Sequence, residues 1–151
     1  MSMKTTDRPI YHDYIESDAW RSLHPEFLKR ANHRCAAMPW VKLKHYRCHH
    51  LHYNNLGQEC YWIDVLCLSP FVHDVIIHKW LSGGKRTKHQ KHYPNAPQRL
   101  FHQWCRLPAF IKLTVVCFCL SLLGMLFAQL IGVNPIVGGV LGAIVFTVLL
   151  M

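Results

Sequence analysis

Residues 113–151 form a run of 39 without a single Asp, Glu, Lys, Arg or His. Soluble cores rarely need so long an uncharged tract. A helix crosses the roughly 30 Å hydrocarbon core of a bilayer with about 20 apolar residues. The tract breaks at Val133-Asn134-Pro135, a turn-like trio in which proline denies helix continuation. Two transmembrane helices are therefore expected, over 108–132 and 136–151. They would reach about 37 Å and about 24 Å, so the first crosses with some tilt and the second is short. A re-entrant or thinned second leg is the alternative. Gly138-x-x-x-Gly142 and Gly139-x-x-x-Ala143 permit close helix approach, within the hairpin or between copies as a homo-oligomer. An apolar run so placed is not the pattern of a secretory leader.

The net charge of +9 is unevenly spread. Residues 1–74 carry nine basic and eight acidic side chains, whereas residues 75–112 carry eight basic ones and none that is acidic. A basic segment beside a membrane span follows the positive-inside bias and attracts anionic lipid. That reading outweighs a nucleic-acid footprint for this segment, and it places the N-terminal domain and the returning C-terminus in the cytoplasm. Seven cysteines, an odd number, point to reduced thiols rather than a disulfide framework.

The chain divides into a flexible N-terminus (1–9), a folded domain (10–81), a basic linker (82–106) and the two-helix hairpin (107–151). Ser17-Asp18 can cap a helix carrying Trp20, Leu23, Phe27, Leu28 and Ala31, with Pro25 kinking or restarting it. Residues 40–46 alternate apolar with basic, as a half-buried strand does, and 47–53 would be its hairpin partner. Gly57 sits in a loop, Val65-Leu66-Cys67 is a short apolar stretch, and 70–81 reads as a helix started by Pro70 and stopped by Gly83-Gly84. Residues 93–97 are too proline-broken for a regular element. The fold class is α+β.

The chemistry concentrates between Arg47 and His78, where His49, His50, His73 and His78 fall within one small domain. Neutral imidazole ligates divalent metals and serves as a general base near neutral pH. Adjacent histidines on a strand point to opposite faces, so one can bind metal while the other reaches a nearby water. A metal-polarised phosphate beside a histidine-activated water is a working arrangement for phosphodiester cleavage.

The segment His49-His50-Leu51-His52-Tyr53-Asn54-Asn55-Leu56-Gly57-Gln58-Glu59 resembles the HNH, or His-Me finger, endonucleases, in the branch with His-His-Leu-Thr-Tyr-x-x-Leu-Gly-x-Glu. The likeness extends upstream through Tyr11, Ser17, Trp20 and Cys35, and covers residues 10–81. It implies a small ββα-metal, treble-clef-like domain hydrolysing phosphodiester bonds in DNA with a divalent ion (Mg²⁺, Mn²⁺ or Zn²⁺). It makes His49 and His73 metal ligands and His50 the general base. Asp64 stands where the motif's central Asn holds the loop and base in position.

Three departures qualify what the resemblance implies. The branch carries two Cys-x-x-Cys knuckles for a structural zinc, whereas here they read Cys35-Ala36-Ala37-Met38 and Cys67-Leu68-Ser69-Pro70. A four-cysteine zinc is therefore not expected, and Cys35 and Cys67 are vestigial ligands or buried small residues. His73 and His78 are five apart, about 140° around an α-helix. Either the helix is irregular, or the shell is His49, His73 and water, or it uses Asp74 and His78. Asp at position 64 adds a charge. The alternative function is a degenerate HNH-fold membrane protein acting as an adaptor, and a third is a histidine-rich metal-handling domain. No phosphate-binding residue is singled out, since Lys42 and Lys44 suit phosphate or solvent equally.

Overall fold

Ser17 starts the first long helix by accepting the Trp20 amide on its Oγ at 3.2 Å. In this computed structural model, which describes residues 13–82 and 94–150, that helix is α1, Asp18–Arg30. Asp18 in its first turn and Lys29 and Arg30 in its last suit the helix dipole, and Pro25 lies inside without ending it. Trp20 and Phe27, two turns apart, are buried. The expected loose N-terminus, Tyr11 and the Gly83-Gly84 stop lie outside the described residues.

Strand β1, Arg47–His50, pairs antiparallel with β2, Val65–Leu68, placing Cys48 opposite Cys67 and His49 opposite Leu66. The expected pairing of 40–46 with 47–53 does not form. Residues 40–46 instead contact 33–35 through a single bridge, Arg34 to Lys42, with Leu43 N–H bonded to the His33 carbonyl at 2.8 Å. The reason lies in β2, which is apolar at all four positions and buried throughout. A strand covered on both faces gains most from a paired, central place, whereas an alternating segment gains only half as much.

The next element, Phe71–Trp80, is a π-helix, with Leu81 N–H reaching back five residues to the Ile76 carbonyl at 2.8 Å. After it the linker expected over 82–106 gives way to helix α2, Ala96–Arg106. Asn95 and Gln98 cap it reciprocally: Asn95 Oδ1 accepts the Gln98 amide at 2.8 Å and Gln98 Oε1 accepts the Asn95 amide at 3.0 Å. Pro97 falls in the first turn, where a missing amide costs little. The prolines thus mark the start of a helix instead of excluding one. Gln98, His102 and Cys105 are its buried residues, spaced four and three apart.

Residues Met1–Arg106 and Leu107–Met151 form two compact units. The first is α+β, helices about a two-stranded sheet. The second holds α3, Ala109–Leu130, and α4, Pro135–Leu150, joined by a turn in which Gly132 takes φ 73° and Asn134 Oδ1 accepts the Ile136 amide at 2.9 Å. Among the described helices α3 is long and apolar enough to cross a membrane, and α4 is a shorter apolar helix. Glycines let the two backbones touch. A Cβ on Gly138 would collide with the Gly124 carbonyl and stand 2.5 Å from the Ala128 Cβ, and one on Gly142 would strike the Leu120 carbonyl.

Gly138→Val should therefore destabilise the hairpin by about 1–3 kcal/mol through overpacking. Thermal unfolding of the full chain in detergent, monitored by helical circular dichroism, would read the loss. Val140→Ala, at an exposed position of the same helix, should leave the transition unchanged.

Candidate metal centre

Two elements deliver three histidines to one place. β1 carries His49, and the π-helix carries His73 and His78. Each offers a ring nitrogen, and the three nitrogens lie within 4.8 Å of one another. An α-helix would splay positions 73 and 78 by about 140°. Closing each turn on the fifth residue instead stacks them on one face, with their Nε2 atoms 3.3 Å apart. The irregularity allowed for in the sequence is thus a change of helix type, and it builds the pair. This cluster can hold a metal ion.

Asp74 supports the cluster without joining it. Its Oδ1 accepts from His73 Nδ1 at 2.6 Å, and its Oδ2 lies 3.8 Å from Arg47 Nε. A proton fixed on Nδ1 leaves the His73 Nε2 lone pair facing His78, the orientation that carboxylates impose on metal-binding histidines. The hydrogen bond from His73 holds the Asp74 carboxyl below its usual range. The alternative shell of Asp74 with His78 is therefore not what the geometry assembles.

A fourth imidazole meets the cluster from α2. His102 Nε2 lies 3.1 Å from His49 Nε2, and both residues are 8% exposed. Three hydrogen bonds set α2 in register: Gln98 Nε2 to the Ile77 carbonyl (3.1 Å), Trp104 Nε1 to the Ala37 carbonyl (3.0 Å) and Arg106 Nη2 to the Ile63 carbonyl (2.6 Å). The sequence reading passed over His102 because it ended the domain at residue 81. The signal was present in the Asn95-x-x-Gln98 capping box and the Gln98, His102, Cys105 stripe.

Burial pushes the His49 imidazole well below its usual pKa, and the neighbouring His102, His73 and His78 push the same way. His102 is pushed down to about 4, by burial first and then by Arg106. His78 is lowered by burial and by His73. All three present neutral rings with available lone pairs at physiological pH.

His50 and Asp64 lie elsewhere. The His50 ring stacks on Trp20 with centroids 4.4 Å apart, and its Nε2 stands 3.3 Å from Glu59 Oε1. Glu59 also accepts from the Tyr14 hydroxyl at 2.7 Å and the Gly57 amide at 3.1 Å. Only 4% of the His50 side chain is exposed. Burial lowers its pKa while Glu59 opposes the shift. Asp64, buried, accepts the Cys60 amide at 2.7 Å and the Asn55 side chain at 3.0 Å, with His52 Nε2 at 3.2 Å. It ties together the loop between the strands. Cys35 and Cys67 are core residues, with Cys35 Sγ accepting the Ser69 amide at 3.4 Å.

Two outcomes follow for the metal-free protein. The lowered histidines bind protons more readily when unfolded, so stability is full above the ordinary value of 6.5 and falls as pH drops toward about 4. Urea unfolding at pH 7.5 and pH 5 should show that loss, and His102→Gln should reduce it. Asp64→Ala, which strands the Cys60 amide, should cost about 2–3 kcal/mol in the same assay. No family model, curated protein or solved structure matches this chain, so what the centre does is read from its own geometry.

Proposed function

We propose that the chain is a membrane-tethered endonuclease of the HNH, or His-Me finger, kind, hydrolysing phosphodiester bonds in DNA with a divalent metal. The observation that supports this most is the convergence of His49, His73 and His78 from a two-stranded hairpin and the helix after it. That order fits the ββα-metal domain the resemblance implies, and the set includes His49 and His73, the ligands it names. An ion held there polarises a phosphoryl oxygen and eases deprotonation of a bound water. The imidazole donor set suits Zn²⁺ better than Mg²⁺ or Mn²⁺, which favour oxygen ligands.

In this reading His50 takes the proton from the attacking water, although its ring faces Trp20 and Glu59 and not the cluster. The water must therefore reach it around the strand. The neutral state of His50 suits that work, and Trp20 and Glu59 fix its ring. The apolar unit anchors the domain to a bilayer, α3 crossing and α4 returning part or all of the way. The basic segment before it sits against anionic lipid on the cytoplasmic side.

A second reading, the non-catalytic adaptor, is favoured by the 4% exposure of the His50 side chain. Nicking of supercoiled plasmid by the detergent-solubilised full chain separates the two. The nuclease should nick with Zn²⁺, Mg²⁺ or Mn²⁺, and His50→Gln should slow it by about 10²-fold or more. Nicking untouched by that substitution removes His50 as base. Bound metal without nicking in any of the three ions leaves the adaptor.

A further inference from the structure

We propose that His102 is a fourth imidazole ligand, closing the metal centre into a tetrahedral four-histidine site. This rests on the metal centre above but not on its nuclease activity. Zinc–nitrogen bonds of about 2.0–2.1 Å, arranged tetrahedrally, hold neighbouring ligand nitrogens about 3.3–3.4 Å apart. The structure contains two such edges, His73 Nε2 to His78 Nε2 at 3.3 Å and His49 Nε2 to His102 Nε2 at 3.1 Å. Each edge joins two Nε2 atoms. His49 joins the two edges: one of its ring nitrogens lies within 4.8 Å of those of His73 and His78, and His102 meets the set through His49.

Hydrogen bonding alone accounts poorly for this arrangement. His73 spends its Nδ1 proton on Asp74, so its Nε2 faces His78 with a lone pair. Each Nε2 pair then needs one ring in a specific tautomer, twice over in one cluster. A cation between the rings satisfies all the lone pairs together. The seating of His102 is built in. Gln98, one turn before it, bonds to the Ile77 carbonyl of the π-helix that carries His73 and His78. Cys105, on the same face, is fully buried in the core. The ligand class is a borderline transition ion, Zn²⁺ or its substitute Co²⁺.

Closure has a chemical consequence. Four protein ligands mark structural zinc sites, whereas catalytic sites keep one position for water or substrate. A phosphate oxygen could reach this metal only as a fifth ligand or in place of His102, so the nuclease reading requires one of these. The helix supplying His102 ends at Arg106, where the apolar unit begins in sequence.

Cobalt spectroscopy of the detergent-solubilised full chain tests the assignment. The wild type loaded with Co²⁺ should show the intense visible bands of a tetrahedral ion, unaltered by inorganic phosphate. His102→Ala should weaken Zn²⁺ binding by at least about 10- to 100-fold and make the cobalt bands respond to phosphate. His102→Cys should keep the tetrahedral bands and add a thiolate-to-metal charge-transfer band absent from the wild type. That gain of signal decides the matter if the alanine variant folds poorly. Weak, octahedral bands in the wild type would overturn the proposal, as would metal-loaded His102→Cys without the new band. A wild type that binds neither ion removes the whole centre. Tetrahedral cobalt in a protein that fails to nick DNA removes only the nuclease reading.

Discussion

Val65, Leu66, Cys67 and Leu68 expose nothing to solvent, and the first unit is arranged to keep them so. β1 covers one edge of this strand and thereby fixes the height of His49, opposite Leu66. The Ala36 amide bonds to the Cys67 carbonyl at 2.9 Å, drawing the 35–38 turn onto the same strand. Asp64, the residue before the strand, gathers the connecting loop so that β2 can begin directly after it. Ser69, the residue after, bonds to Cys35 and aims the chain into the π-helix. Four apolar residues in a row thus decide where the histidines on either side come to rest.

A π-helix is an uncommon way to spend ten residues, since its wide turns pack less well than those of an α-helix. Here the return is geometric. Val72 and Ile77, also five apart, are both buried, so the same periodicity that pairs His73 with His78 pairs the residues that bind the helix to the core. An α-helix over these residues would splay both pairs by about 140°. Packing and ligand geometry ask for the same backbone, and that agreement is what a specified fold requires.

Much of the centre was legible in the chain, and the reasons for the rest are specific. His49, His73 and His78 were visible because their residue types are chemically distinctive. α1 was visible because Ser17 and the buried aromatic residues follow known local rules. The strand pairing was misread because alternation at 40–46 is a strong local pattern, whereas the claim of 65–68 on a partner comes from burial that only the tertiary fold supplies. α2 was missed because prolines were weighed as breakers, although in a first turn they are compatible with a helix. His50 illustrates the converse: its adjacency to His49 was plain, yet strand alternation carries it to Trp20 and Glu59, on the other side of the sheet.

The turns at 35–38 and 67–70 and helix α2 are best understood together. A domain with two four-residue strands has little core, and domains of this size commonly need a metal or another staple. In this chain Met38 packs against the core and Trp104 of α2 bonds to the Ala37 carbonyl, so a helix covers the first of those turns. The same helix carries His102 to His49. Apolar packing and hydrogen bonds hold that turn, while His49, His73 and His78 converge and His102 reaches His49. Because those rings are drawn from β1, the π-helix and α2, an ion bound among them would link segments otherwise joined by packing, the Gln98–Ile77 hydrogen bond and the Arg47–Asp74 pair. Its binding energy would then stabilise the folded state directly.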